Sequence, residues 1–259
     1  MTPSEVRTTE RVCLSVVSHA DGAETFGLLR SLADAGLAGL SVILTANLPE
    51  ELPFDPNGLP YPVRVVWNSV PKGFGANHNA AFRQARSEYF CVCNPDVRVV
   101  PETFEPLLER LAQPEVALAA PRVLGPDGMV QDSARRDLTP GRVMTRWVGG
   151  RRHEYPPEES SPFEPDWVAG MFMMFRRDGF EAVTGFDERY HMYCEDADIC
   201  RRIRRSGRRI VLVPEARVVH DARRTSHRSA SFLMWHMRSL ARYWLHSGAR
   251  DAPGSVLRP

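Results

Sequence analysis

Four short apolar runs, and the segments between them, constrain this chain more than any other feature. Residues 12–17 (V-C-L-S-V-V), 40–46, 63–68 and 89–93 (Y-F-C-V-C) are each long enough for a buried strand and too short for an independent helix. Between the first two, residues 24–35 carry Phe26, Leu29, Leu32 and Ala33 at helical spacing, and residues 76–86 are helical before the fourth run. Alternation of this kind predicts an α/β fold with a parallel, doubly wound sheet. Pro49, Pro53, Pro56, Pro60 and Pro62 exclude regular structure from the connection between the second and third runs.

The fourth run stops at Asn94-Pro95-Asp96. Pro95 removes a backbone donor and biases Asn94 towards an extended conformation, so the strand ends there. A carboxylate, Asp96, is left at the carboxyl end of a buried strand, which is where open α/β sheets bind ligands. A hard oxygen ligand at that point suits a divalent cation holding a diphosphate. Read alone, N-P-D is equally an ordinary turn.

Further on, residues 101–111 predict a helix, with Phe104, Leu107, Leu108 and Leu111 at helical intervals, and residues 116–120 a strand. Residues 121–165, which hold G-P-D-G and a Pro/Glu-rich segment, are expected to form a long, partly mobile excursion over one edge of the site and not a separate domain. Residues 167–176 predict one strand and 178–183 a short helix. Residues 195–206 predict an amphipathic helix that Gly207 ends. A strand over 209–213 follows, then a short strand or loop over 218–220 and a last helix over 231–246.

Composition narrows the function. A chain of 259 residues with 43% hydrophobic content fits one large α/β unit or two small ones, and a net charge of +1 gives no case for nucleic-acid binding. Five cysteines form no paired framework and read as free thiols of a reducing compartment. Cys91 and Cys93 share one strand face and pack. The N-terminal residues carry no apolar signal region, and no run of about 18 apolar residues exists to span a membrane, so a cytoplasmic protein is expected.

Three constellations carry chemistry. The first is residues 68–79 (N-S-V-P-K-G-F-G-A-N-H-N), a strand running through a glycine-bearing turn into a helix. Gly73 and Gly75 would admit a ligand close to the backbone, and the helix would offer free amides to an anion. Asn68, Asn77 and Asn79 add amides able to read a base or a sugar. The glycine spacing fits neither a Walker A motif nor a dinucleotide fingerprint, and an ordinary strand–turn–helix connection stays open. The second is residues 192–198 (M-Y-C-E-D-A-D). Carboxylates favour a helix start, but one of Glu195 and Asp196 facing a pocket could act as a general base. Asp198 and Arg202, four residues apart, pair along the helix. The third is His220, a partner for Asp96 in holding a cation whose other ligands are phosphate oxygens and water. The basic segment beyond it offers Arg223, Arg224 and Arg228 to phosphates.

In order along the chain, V-C-L-S-V-V-S-H, N-S-V-P-K-G-F-G-A-N-H-N, N-P-D-V, W-V-A-G-M-F-M-M-F-R, G-F-D-E-R-Y, E-D-A-D-I-C-R-R and V-P-E-A-R-V-V-H resemble the inverting family 2 glycosyltransferases, nearest their rhamnosyltransferase-like branch. The resemblance implies a GT-A fold. It divides the chain into a tail over 1–10, a catalytic unit over 11–222 with nucleotide-binding (11–120) and acceptor-binding (121–222) halves, and a basic loop with an amphipathic helix over 223–259. It implies that Ser18, Asn68, Lys72, Gly73, Asn77, Asn94 and Arg224 hold a dTDP- or UDP-sugar. Asp96 and His220 would hold Mg²⁺ or Mn²⁺. Trp167, Gly170 and Met171 would line the pocket for a glycan or lipid-linked acceptor. Asp196 would be the base, with Glu195 its alternate or an acceptor contact. Many relatives carry D-x-D where this chain has Asn94-Pro95-Asp96, which leaves one fewer charge for the metal. The expected reaction is transfer of a sugar, L-rhamnose from dTDP-rhamnose by resemblance, onto a cell-envelope acceptor with inversion.

Two other classes remain. A sugar-phosphate nucleotidylyltransferase would carry a Gly-rich turn with Arg and Lys after the first strand, where this chain has S-H-A-D-G. A non-catalytic nucleotide-sugar-binding protein is favoured only by Asn94. The last helix has two readings as well. It could lie in a bilayer interface at the inner face of the cytoplasmic membrane, or pack on the catalytic unit or a second subunit of a homodimer.

Overall fold

A computed structural model describes residues 10–147, 154–221 and 230–248. The basic segment with Arg223, Arg224 and Arg228, and the tail before residue 10, lie outside the described residues. The first half alternates as expected: β1 (Val12–Ser18), α1 (Gly22–Ala35), β2 (Leu40–Ala46), β3 (Val63–Trp67), α2 (Phe74–Phe82) and β4 (Tyr89–Cys93). Then come β5 (Val97–Val99), α3 (Phe104–Leu111), β6 (Val116–Leu124), β7 (Ala134–Arg135) and α4 (Pro140–Trp147). The last part holds β8 (Trp167–Val168), β9 (Phe172–Arg176), α5 (Arg177–Ala182), α6 (Glu195–Arg205), β10 (Arg209–His220) and α7 (Ala230–Gly248).

Eight strands form one mostly parallel sheet in the order β3-β2-β1-β4-β9-β6-β10-β5. β1 to β4 are mutually parallel, as are β6 and β10. β9 runs antiparallel between β4 and β6, and β5 antiparallel against β10 at the edge. The sheet is covered on both faces. Leu28, Leu29 and Leu32 of α1 and Leu107, Leu108 and Leu111 of α3 pack on one, with Cys91 and Cys93 from β4. Phe180 of α5, Ile199 and Ile203 of α6, and Leu240 and Tyr243 of α7 pack on the other, with Phe90 and Val92. Period-two alternation in β4 thus feeds both layers, and each fully buried Leu or Phe contributes about 1.5–3 kcal/mol. All five cysteines are buried free thiols.

Several expected elements differ. Residues 167–176 are two strands, because the chain bends at 169–171. Residues 209–220 form one strand: Pro214 sits where the β6–β10 register shifts between Val213 and Arg217, a bulge that tolerates proline inside a sheet. The described residues of the 121–165 excursion hold the end of β6, β7 and α4. Gly207, at φ +80°, terminates α6 as expected.

α7 docks through one face. The Ser239 hydroxyl donates to the Met192 carbonyl at 2.9 Å, Trp244 Nε1 to the Leu138 carbonyl at 2.6 Å, and the Arg201 guanidinium lies 3.8 Å from the Tyr243 ring centroid. The opposite face leaves Met234, Met237 and Leu245 exposed at 55%, 45% and 73%. Among the described residues no helix is long and apolar enough to cross a membrane.

Candidate active site

The parallel strands β1, β2, β3 and β4 present their carboxyl ends side by side, and a carboxamide cluster lies just beyond them. Asn47, just after β2, is its hub. Its Oδ1 accepts from Asn68 Nδ2 at 2.8 Å and from the Lys72 amide at 2.9 Å, while its Nδ2 donates to the Lys72 carbonyl at 3.0 Å. Asn68 Nδ2 also donates to Asn77 Oδ1 at 2.7 Å. The 68–73 turn is therefore fixed by side chains before any ligand arrives. Sequence reasoning missed Asn47, which stands alone beyond a strand with no motif around it.

Asn77 and Ser18 are buried, and the Ser18 hydroxyl accepts the Asp21 amide at 3.1 Å, so both build the wall. Asn68 is half-exposed and Lys72 extends to the surface. Asn79 faces away from the crevice function expected of it: its Nδ2 donates to the Phe186 carbonyl at 2.9 Å, and its Oδ1 accepts the Phe186 amide at 2.9 Å. The glycines also serve packing. A Cβ on Gly73 would meet the His191 carbonyl at 2.5 Å, and one on Gly75 would meet Phe186 Cβ at 2.7 Å. The first amide of α2, from Phe74, is already donated to the His191 carbonyl at 3.1 Å. The close approach is of protein to protein, and that helix start is not an open anion cradle.

At the end of β4, Asn94-Pro95-Asp96 turns the chain into β5. The antiparallel register sets Val97 opposite His220, which brings the preceding Asp96 against the imidazole. His220 Nε2 lies 3.3 Å from Asp96 Oδ1. That oxygen is buried and has no hydrogen-bond partner. Among the described residues no group of three or more His, Cys, Asp or Glu converges, so this pair stands as a two-donor set. An orphaned carboxylate oxygen facing a ring nitrogen fits a divalent cation completed by phosphate oxygens and water.

The opposite wall is the start of α6. Tyr193 and Cys194 precede it in the left-handed region, at φ 70° and 66°, a strain of about 1–3 kcal/mol each. α7 holds that segment through Ser239, a Trp235–His191 contact at 4.8 Å between centroids and a His236–Tyr193 stack at 5.0 Å. Asp196, half-buried, accepts from the Gly170 amide at 3.1 Å and the Ala197 amide at 2.8 Å. Burial pushes its carboxyl above the ordinary range, while the Ala197 amide, Arg135 and the Gly170 amide oppose the shift. Glu195 is buried with Oε2 unpartnered. Burial, then the neighbouring Asp196 charge, push it well above the usual glutamate range. Adjacent carboxyls held at different affinities for a proton suit separate roles. Asp198 pairs with Arg202 at 2.7 Å, as their spacing predicts, and with Arg201 at 3.1 Å.

The 169–171 bend joins the two walls. The Met171 carbonyl accepts the Asn94 amide at 3.0 Å, and the Gly170 amide goes to Asp196. A Cβ on Gly170 would meet Phe74 at 3.1 Å. Trp167 is 4% exposed. Its Nε1 donates to the Arg136 carbonyl at 2.7 Å and Arg135 covers its ring at 5.0 Å, so it supports the pocket from beneath. A separate cavity of about 670 Å³ lies beyond Asn79 and Asp198 and includes neither Asp96 nor Asp196 in its lining.

Comparison with known proteins bears on the fold and the family. The family model for glycosyl transferase family 2 matches residues 53–184, and that for the N-terminal domain of galactosyltransferase matches residues 160–228. N-acetylglucosaminyl-diphospho-decaprenol L-rhamnosyltransferase of Mycobacterium tuberculosis is 30% identical over 264 residues, covering 92% of this chain and 85% of the relative. Rhamnosyltransferase WbbL of Escherichia coli is 30% identical over 186 residues, covering 66% of this chain and 69% of WbbL. The structure of GalNAc-T7 with UDP, GalNAc and Mn²⁺ superimposes with a TM-score of 0.65 at 15% identity, over 90% of this chain and 47% of that one. The shared fold is GT-A, with this chain spanning about half of that longer protein. With that fold, the family match and a relative 30% identical over nearly the whole chain, the chain belongs to glycosyl transferase family 2 and is a nucleotide-sugar-dependent glycosyltransferase.

Proposed function

We propose that this enzyme transfers L-rhamnose from dTDP-rhamnose, with inversion, to a lipid-linked sugar acceptor of the cell envelope. The observation that carries the mechanism is the 169–171 bend, hydrogen-bonded to Asn94 on one side and to Asp196 on the other. The sugar identity is supported by the names of the two relatives. Asn68, Lys72 and Asn94 line the donor crevice, over the wall that Ser18, Gly73 and Asn77 build. Gly170 and Met171 form the acceptor floor over Trp167.

Asp196 takes the proton of the acceptor hydroxyl, whose oxygen attacks the anomeric carbon. The bond from that carbon to the diphosphate oxygen breaks on the opposite face, its electron pair leaving with the nucleotide. A single displacement inverts the configuration. Glu195 stands beside Asp196 as the alternate base or an acceptor contact. Asp96 and His220 hold Mg²⁺ or Mn²⁺, which when bound offsets the charge of the departing diphosphate. The test is a donor panel of dTDP-rhamnose, UDP-N-acetylglucosamine and GDP-mannose, each with an N-acetylglucosaminyl-diphospho-polyprenol acceptor and Mn²⁺. Rhamnose transfer with an inverted linkage is expected. Preference for another donor overturns the sugar assignment, and a retained linkage overturns the mechanism.

The outer face of α7 rests on an anionic bilayer, where such an acceptor resides. Met234, Met237 and Leu245 are exposed on one arc with Arg238, apolar residues beside a cation that suit an interface. The protein is expected to sediment with anionic vesicles, and a Met237→Asp, Leu245→Asp double variant to lose about tenfold or more in partitioning. Unchanged sedimentation, or a dimer in solution that dissociates in the double variant, assigns that face elsewhere.

A further inference from the structure

Gln131 has no place in the sequence motifs, yet it makes two hydrogen bonds to one residue of the cation pair. Its Nε2 donates to the His220 carbonyl at 2.8 Å, and its Oε1 lies 2.7 Å from His220 Nδ1. The first bond decides the second. With the amide nitrogen turned to a carbonyl, the amide oxygen faces the ring, so Nδ1 carries the hydrogen and donates it. In the neutral ring that leaves the lone pair on Nε2, the nitrogen 3.3 Å from Asp96 Oδ1. That oxygen has no hydrogen bond although a ring nitrogen stands 3.3 Å away.

The local sequence places Gln131 there. In G-P-D-G the Gly128 amide donates to the Gly125 carbonyl at 2.9 Å, with Gly128 at φ +75°. The chain reverses, Leu124 and Val130 form an antiparallel bridge, and the Gln131 amide donates to the Val123 carbonyl at 2.8 Å. Val123 and Leu124 pair with Val218 and Val219 of β10, so the hairpin carries Gln131 to the strand end that bears His220.

We propose that Gln131 is a positioning residue for the cation site, locking the His220 ring in the tautomer and orientation that present Nε2 to a divalent ion. The inference rests on the assignment of Asp96 and His220 as ligands. Partners that hold a ligating histidine by its other nitrogen are worth about 10–100-fold in metal affinity.

The test uses Mn²⁺ with dTDP and measures electron spin-echo modulation from a coordinated ring ¹⁴N, alongside Mn²⁺ affinity. The wild-type protein shows the nitrogen modulation. Gln131→Leu, which fills the space without an acceptor, loses it and binds Mn²⁺ about tenfold or more weakly. Gln131→Glu keeps an acceptor oxygen for Nδ1 and retains the modulation. If Gln131→Leu does not fold, Gln131→Met, of matching length, takes its place. Modulation and affinity unchanged in Gln131→Leu or Gln131→Met overturn the role of Gln131 while leaving the ligand pair intact. Absence of nitrogen modulation in the wild type overturns the ligand pair itself, and this inference with it.

Discussion

Asp196→Asn lowers the turnover of sugar transfer by about two to four orders of magnitude, the usual share of a positioned general base, while dTDP binding is unchanged. The amide is nearly isosteric, but the Gly170 amide donates to Oδ2 and the Ala197 amide to Oδ1, so the single amide oxygen keeps one of these two bonds and unchanged dTDP binding is the check that the site persists. The capacity to take a proton is lost, together with one backbone contact. Steady-state turnover, with calorimetric titration of dTDP, separates the two effects. Turnover within about threefold of wild type would remove Asp196 as base and leave Glu195 to be tested in the same way. The pH profile gives a second reading. Asp196 must be ionised to act, and burial raises its affinity for a proton. Transfer therefore falls as pH drops through that raised value, at a higher pH than an ordinary aspartate would give, and the acid limb disappears in Asp196→Asn.

Removing the divalent cation with EDTA, or replacing Asp96 with Ala, lowers transfer by about two to three orders of magnitude, comparable to losing one preorganised charge-stabilising contact. Mn²⁺ restores the chelated wild type and does not restore Asp96→Ala. With two protein donors among the described residues, an ion there would be held largely by the nucleotide. Mn²⁺ binding is accordingly expected to strengthen steeply when dTDP is present. Full transfer in EDTA would mean that Lys72 and the arginines beyond β10 neutralise the leaving group alone.

Much of the architecture is legible in the sequence, because apolar runs of strand length and helical stripes report burial directly. Periodicity carries no direction, so the antiparallel placement of β9 between β4 and β6 is not written in Phe172–Arg176. A proline reads as a breaker, and only the pairing of β6 with β10 shows that the strand passes through Pro214 on a bulge. At the site, Asp96, His220 and Asp196 stand out because each follows or opens a recognisable element. Asn47 and Gln131 do not. They are single polar residues in connections, and their roles arise from partners 25 and 89 positions away. Gly73 and Gly75 show the reverse error: a glycine reports a close approach, but not whether ligand or protein does the approaching.

The bend at 169–171 has a consequence for how such an enzyme can change. Because backbone groups of the bend tie it to the Asn94 amide on one side and to the Asp196 carboxylate on the other, the proposed gap between departing group and incoming oxygen would be set like the jaws of a fixed wrench. Substituting residues around the rim can admit a different sugar or alcohol without disturbing that span. Inserting or deleting a single residue in the bend would mis-set it, and a displacement of about 1 Å at a reacting centre costs on the order of a hundredfold in rate. Diversification of specificity is thereby steered towards the periphery, while the spacing of the chemistry stays constant.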